Sequence, residues 1–385
     1  MLHDHGFLRE LVAMKDEMGV VSLYVDAGPR VDPGIRPAWE IRLRDDLAAI
    51  RARVSAWPER VRRATVLEHL EALEPEIARL VDPASPGLGR ALFAPVCTGE
   101  IHRTSLQVPV GTCAVLESTA YVRPMIAAMA TSAPAGVALV RRDGVRLIDY
   151  RYGMAEDVYR SSYELGSDDW REMRGPGRAG TDRRSSTHHE RFRRRAEESL
   201  VRYLQAIAPE ISNRMGALRW ADVLLVGDPR LTATLAEALR PLDLVQVDRV
   251  ITDGPAGDVV SRVSAELVAV RVRRDAALVR RVVDTALSGG RAVLGLGQTL
   301  ALLNEGRVDC LLIHENGHWR GGRGPDGFLY PAEQVPHGTV TTDEPDLGER
   351  MIERALESRA EVTVVHARAA GALAAYDGVG ALLRW

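Results

Sequence analysis

The sequence predicts an α/β protein in three domains, and three observations carry that expectation. At 385 residues, 46% of them hydrophobic, the chain is longer than a single hydrophobic core usually supports. The run GVALVRRDGVRLIDYRYG has two alternating strands around Asp143-Gly144, a hairpin signature. After it, amphipathic helical patterns alternate with short, wholly apolar runs such as ADVLLVG and VDCLLI, as in a sheet buried on both faces. The boundaries expected are 1–135 for an α+β domain, 136–255 for a mixed-sheet α/β domain with a basic loop and helix, and 256–385 for an α/β sandwich with an insertion at 314–340.

In the first domain, FLRELVAMKDEMG predicts a helix ended by Gly19, and VVSLYVDA a strand. A Pro- and Gly-rich loop from Gly28 to Pro37 leads to two amphipathic helical stretches, residues 39–57 and 58–81, the second with Pro58 at its first turn. From Ala91 the pattern shortens to strands: ALFAPVC, TSLQVPV and TAYVRPMIAAMA. SAPAG at 132–136 reads as a linker.

The second domain continues from its hairpin with a polar strand near AEDVYRSSYEL. A loop follows in which Gly175, Pro176, Gly177 and Gly180 exclude regular structure. Beyond it Phe192, Ala196, Leu200, Tyr203, Leu204 and Ile207 recur at helical spacing, and Thr187 with Glu190 fits a capping box at the helix start. ADVLLVG is a buried strand, DPRLTATLAEALRP a helix capped by Asp228, and LVQVDRVI a further strand. In the third domain the pattern predicts helices at SRVSAELVAVRVRRDAALVRRVVDTAL, QTLALLNEG and DLGERMIERALESRA, and strands at VDCLLI, EVTVVHA and GVGALLRW. The stretch from His314 to Val340 has no clear period and reads as an excursion from the core.

Charge narrows the function. The formal net charge is −3, which excludes a globally basic nucleic-acid binder. Lys15 is the sole lysine, so placement of arginines says more than their number. From Arg171 to Arg195 nine arginines meet only Glu172, Asp182 and Glu190, a local footprint for a polyanion. No run of about eighteen apolar residues predicts a membrane span, and the start MLHDHGFLRE lacks the basic and apolar segments of a signal peptide. A cytoplasmic protein is expected. Cys97, Cys113 and Cys310 are too scattered for a disulfide scaffold and are expected to be reduced, buried thiols.

Three segments resemble one superfamily. RAVLGLGQTLALLNEGRVDCLLIHE is similar to the third domain of archaeo-eukaryotic class-1 release factors and Pelota, and DGVGALLRW to its closing strand. HHERFRRRAEESLVRYLQAIAPEI resembles the middle-domain helix that follows the Gly-Gly-Gln loop of release factors. Their collinear order identifies the chain as a bacterial, Balon-like member of that superfamily, with a three-domain release-factor/Pelota-like architecture. Gly-Gly-Gln itself occurs nowhere; its place is held by Ser185, Ser186 and Thr187. The lysine-bearing stop-codon motif is absent too. The resemblance therefore implies a ribosome-associated translation factor that mimics tRNA in the A site, in hibernation or at stalled ribosomes, without peptide-release chemistry. The alternative is a peptidyl-tRNA hydrolase or rescue factor in which Ser185, Ser186, His188 or His189 replaces the missing glutamine. The RNA-binding residues implied are Arg178, Arg183, Arg184, Ser185, Ser186, Thr187, His188, His189, Arg191, Arg193 and Arg194. Partners implied are the ribosome, through A-site rRNA, and an elongation-factor-type GTPase; no membrane, DNA or cofactor is expected.

Other constellations have plain readings. Cys310, His314 and His318 have ligand-like spacing, but zinc normally takes four ligands, so no metal is expected. His188 and His189 read as solvent-facing residues at a helix start rather than a base. Gly295-Leu296-Gly297 lacks the preceding strand and third glycine of a dinucleotide fingerprint, and Gly295 reads as a helix-start glycine.

Overall fold

The computed structural model describes residues 5–27, 37–163, 183–335, 338–344 and 346–385. Two compact units comprise residues 1–132 with 272–385, and residues 133–271. Both are mixed α/β.

The first unit begins with α1 (His5–Ala13), β1 (Lys15–Asp26), α2 (Ala38–Ser55), α3 (Arg60–Ala72), α4 (Glu74–Val81), β2 (Gly89–Pro95), β3 (His102–Leu106), β4 (Cys113–Thr119) and α5 (Arg123–Thr131). The strands form an antiparallel sheet in the order β3-β2-β1-β4. Strand side chains alternate between faces, so β1 serves two cores. Val21, Leu23 and Val25 pack with Leu43, Leu47, Ile50 and Val54 of α2. Val20 and Tyr24 join Leu8 and Leu11 of α1, Met125 of α5, and Leu311, Met351 and Ile352 from the C-terminal segment. Burial on both faces is why VVSLYVD reads as one apolar run.

Two elements here differ from the sequence expectation. Lys15–Gly19 belongs to β1, not to the preceding helix, because Asp16 takes over the local amides. Its Oδ1 accepts from the backbone of Met18 and Gly19, and its Oδ2 from that of Cys97. The β1–β4 register shifts between Lys15 and Val20, and Gly19 is held at φ +127°, where a Cβ would meet the Leu116 side chain at 2.7 Å. The second difference is TAYVRPMIAAMA, which is helix α5 from Arg123 onward. Pro124 suits a first turn, and the amides of Val122 and Arg123 are accepted by the carboxylate of Glu349. Cys97 is exposed, against the expectation of three buried thiols; Cys310 is buried and Cys113 half-buried.

The second unit, residues 133–271, contains β5 (Ala135–Arg141), β6 (Gly144–Arg151), β7 (Met154–Ser162), α6 (Arg183–Leu218), β8 (Asp222–Gly227), α7 (Pro229–Ala238), β9 (Val245–Val247), α8 (Ala256–Arg262) and the start of α9 (Ser264–Leu287). The sheet order is β7-β6-β5-β8-β9, with β5, β8 and β9 parallel and the β5–β6–β7 meander antiparallel. Gly144 supplies the hairpin turn at φ +143°, where a Cβ would lie 1.9 Å from the Ser161 carbonyl. Strand β5 again divides its side chains. Ala135, Val137 and Leu139 face Val259, Val263 and Leu267, while Ala138 and Val140 face Leu204, Ala208, Ile211 and Met215 of α6.

The C-terminal part of the first unit has β10 (Ala292–Leu294), α10 (Leu296–Asn304), β11 (Val308–His314), β12 (Gly321–Arg323), β13 (Leu329–Pro331), β14 (Thr342–Glu344), α11 (Leu347–Glu357), β15 (Glu361–Val365), a 3₁₀ turn at Gly371–Tyr376 and β16 (Val379–Leu383). Its main sheet runs β10-β16-β11-β15. The excursion after His314 builds a sheet of its own, β13-β12-β14, anchored by buried Trp319, whose indole N–H donates to Asp377 O at 2.7 Å. A strand, β10, does precede Gly295, contrary to expectation. Gly295 at φ +85° is the N-cap of α10.

Helix α11 carries the charges that bind the first unit together. Arg350, 3% exposed, donates to Thr119 Oγ1 at 2.8 Å and Glu353 Oε1 at 2.5 Å, and lies 3.2 Å from carboxylate oxygens of both Glu117 and Glu344. Burial raises the Glu117 and Glu344 carboxyl pKa values, and Arg350 opposes the rise. Arg350→Ala is therefore expected to cost about 3–5 kcal/mol, since it leaves buried carboxylates uncompensated. In the variant those folded-state pKa values rise further above the unfolded ones. Their contribution is then fully present below the unfolded pKa and lost as pH rises through the folded values. Urea unfolding should show a smaller deficit at pH 5 than at pH 8; equal deficits would contradict the assignment.

Candidate nucleic-acid interface

The site begins with the platform beneath it. Helix α6 spans 36 residues, about 54 Å at 1.5 Å per residue. Leu204, Ala208, Ile211 and Met215 recur every three or four residues and seat it on the sheet. Trp220 fixes the turn into β8. Its ring covers Gly136, where a Cβ would lie 2.0 Å from it, and its indole N–H donates to Asp149 at 2.6 Å.

The described side chains of α6 begin at Arg194. Among the residues of α6 whose burial is described, Leu200 is the first that is buried; Arg194, Arg195, Glu197 and Glu198 are exposed. From Leu200 back to Arg183 is about 25 Å of helix by its rise per residue. With the backbone helical, positions 184, 188, 191 and 195 share one face and carry Arg, His, Arg and Arg. The next stripe, 183, 187, 190 and 194, carries Arg, Thr, Glu and Arg. Such a surface has cations and hydrogen-bond donors for phosphate.

Thr187 does not start this helix. The main chain is already helical at Arg183, so Ser185, Ser186, Thr187, His188, His189, Arg191 and Arg193 all lie within α6. The capping-box reading of Thr187 and Glu190 is corrected accordingly. No glycine or proline follows Gly180 until Pro209, and once a helix exists each further residue adds a hydrogen bond. Nothing local stops it at Thr187. The helix also runs through Pro209 to Leu218, eleven residues past Ile207. Arg178 and the Gly/Pro segment around it lie outside the described residues.

The electrostatics of the hairpin beside α6 separate structural arginines from the rest. Asp253 gathers Arg141, Arg146 and Arg160; burial works against its charge, yet Arg146 holds its carboxyl below the usual range. Arg146 also grips Asp157. Arg142, next in sequence to Arg141, makes no ion pair among the described residues, a distinction that the sequence does not carry.

The candidate metal ligands are otherwise engaged. Cys310 packs in an apolar cluster with Leu312, Val365 and Leu373, and burial pushes its thiol up to about 11. His314 accepts the Asn316 amide through Nδ1 at 3.0 Å. No group of three or more His, Cys, Asp or Glu placed to hold a metal occurs among the described residues, and no helix among them is long and apolar enough to cross a membrane.

A helical Thr187 has a measurable consequence. An N-cap threonine replaced by alanine costs about 1 kcal/mol, whereas the same change inside a helix gains a few tenths. Urea unfolding of Thr187→Ala should show no loss of stability; a loss of about 1 kcal/mol would restore the capping role.

Comparison with known proteins places this unit. Residues 134–265 match the model of bacterial archaeo-eukaryotic release factor family 5. An uncharacterised protein of Bacillus subtilis strain 168, YocB, is 22% identical over 215 residues, 54% of this chain and 77% of that one. Among solved structures, archaeal Pelota from a model of ribosome-bound Pelota and ABCE1 is 14% identical, covering 100% of this chain and 94% of that one with a TM-score of 0.41. The archaeal translation termination factor aRF1 is 18% identical over 99% and 96% of the two chains, with a TM-score of 0.25. The weight falls on the family match rather than on these structural likenesses. The likeness to that release-factor family extends over residues 134–265 of this chain.

Proposed function

We propose that the chain is a ribosome-associated translation factor that takes the place of tRNA in the A site, in hibernation or at stalled ribosomes, and does not release peptide. The match of residues 134–265 to the model of bacterial archaeo-eukaryotic release factor family 5 supports the ribosomal setting. The observation that carries the contact is the start of α6: a basic stripe at positions 184, 188, 191 and 195, on helix reaching beyond its last described buried residue. In this reading Arg178, Arg183, Arg184, Arg191, Arg193 and Arg194 meet rRNA phosphates, with Ser185, Ser186, Thr187, His188 and His189 as donors among them. An exposed ion pair with Glu190, Glu197 or Glu198 would be worth only a few tenths of a kcal/mol and would not hold these arginines back. An elongation-factor-type GTPase is the partner proposed to deliver the protein.

The negative half of the proposal rests on sequence. Release-factor chemistry needs glycines for close backbone approach and a glutamine to position water, and Ser185, Ser186 and Thr187 offer neither. Their helical main chain adds a constraint: a regular helix has no freedom to reshape around an ester.

Two experiments test the two halves. In a ribosome-pelleting titration, Arg183→Ala/Arg184→Ala should weaken association and flatten the log–log salt slope by about 1.5, the share of two phosphates. Thermal stability should stay unchanged. Equal affinity and slope for both proteins would remove the phosphate-contact reading. In a peptide-release assay on programmed ribosomes the protein should give no turnover above background. Robust release, lost in His188→Ala or Ser186→Ala, would favour a peptidyl-tRNA hydrolase instead.

A further inference from the structure

Among the described residues, a cleft in each unit can be compared by its charges. The cleft of the first unit, about 420 Å³, is lined by Lys15, Arg323, Arg350, Arg354, Glu353 and Glu357 among others. Its charges are spent on one another: Lys15 and Arg354 pair with Glu357, Arg323 with Glu344, and Arg350 with Glu353 and Glu344. No cation in it is left free to recognise an anionic ligand.

The cleft of the second unit, about 690 Å³, is different. It opens where the parallel neighbours β5 and β8 end, Val140 lying opposite Gly227, and the carboxyl ends of parallel strands are where open α/β sheets bind ligands. Its volume falls in the usual range for small-molecule sites, about 300–1,000 Å³. Arg142 follows β5, Arg230 stands in the first turn of α7, and Glu197 projects from α6; all three line the cleft and are exposed. None of these side chains makes an ion pair or hydrogen bond among the described residues. The walls are Leu200, Leu231 and the ring of Tyr163, which packs on Tyr203 at a centroid distance of 4.9 Å. Among the described residues the buried Tyr163 hydroxyl has no hydrogen-bond partner, which ordinarily costs about 1–3 kcal/mol.

We propose that this cleft binds a nucleoside 5′-phosphate. Each free group then has a counterpart. The two guanidiniums take the phosphate, the aromatic and aliphatic walls take the flat base, and the Glu197 carboxylate takes donors from a ribose diol or an exocyclic amine. The tyrosine hydroxyl meets a ring nitrogen. A bare anion would leave Glu197 and the apolar walls unused, and an apolar ligand would strand both cations. The nucleotide can be free or an unstacked unit of an RNA strand.

The test is a titration of the full chain with AMP, adenosine, inorganic phosphate and a five-residue oligoadenylate. AMP should bind saturably, with adenosine and phosphate each at least tenfold weaker. Arg142→Ala and Arg230→Ala, both at exposed positions, should each weaken AMP by about tenfold, the loss of one charged hydrogen bond. Tyr163→Phe, which keeps the ring packing, should weaken it by about threefold on the neutral-bond scale. Oligoadenylate binding tighter than AMP assigns the site to an RNA strand; equal or weaker binding assigns it to a free nucleotide. Either result upholds the proposal. Absence of saturable binding by both nucleotide probes at millimolar concentration, phosphate binding as tight as AMP, or unchanged affinity in both arginine variants overturns it. The ribosome titration reads Arg183 and Arg184 whereas this one reads Arg142, Arg230 and Tyr163, so the two succeed or fail independently.

Discussion

Two adjacent buried side chains on α11, Glu349 and Arg350, constrain how the first unit closes. An ion pair taken out of water gains little net stability, but losing one partner costs several kcal/mol. Arg350 must therefore find Glu117 at the end of the N-terminal sheet, Glu344 on β14 and Glu353 on its own helix together. Glu349 adds a second demand, because its carboxylate closes the N-terminus of α5, accepting amides that would otherwise be orphaned. Burial pushes its pKa up to about 8. A shifted packing of the C-terminal segment on β4 and α5 would leave several of these groups unmet at once, so the network selects one arrangement.

Arg123 extends the same logic to the excursion after His314. It is 7% exposed, and its guanidinium donates to the carbonyls of Glu315 and Gly317, pairs with Asp346 and lies over the Trp319 ring. A segment with no hydrophobic period is thus tied, beside its Trp319 anchor, to a residue some 190 positions earlier. The second unit uses Asp253 similarly, binding the segment before α8 to the hairpin through Arg141, Arg146 and Arg160. In a chain whose cations are almost all arginine, these structural pairings must be removed before a binding surface can be read. Among the described residues of the second unit, Arg142 and Arg230 are two that keep their guanidiniums free of such pairings and line one cleft.

The basic start of α6 fits the physics of the helix that carries it. The interior of α6 is seated by Leu204, Ala208, Ile211 and Met215, while no described residue before Leu200 is buried. The apolar stripe that seats the helix thus lies from Leu200 onward, and the run of cations precedes it in the sequence.

Periodicity alone determined much of this protein. The Asp143-Gly144 hairpin, the strands at ADVLLVG and VDCLLI, the Asp228 cap and the segments resembling the release-factor superfamily were all legible, because each depends on neighbours a few residues apart. Local pattern misread Lys15–Gly19 as helix and TAYVRPMIAAMA as strand, since Asp16 reaches Cys97 and Glu349 reaches Val122 only in the folded chain. It also misread the start of α6, where Thr187 satisfied a capping pattern that the helix overrode. Which arginines are structural was decided by tertiary packing alone: Arg141 and Arg142 are indistinguishable in sequence, yet one faces Asp253 and the other lines a cleft. The reason is range. Helix and strand periods are written in spacings of two to four residues, whereas a buried charge is compensated by whichever partner the fold brings within a few ångströms.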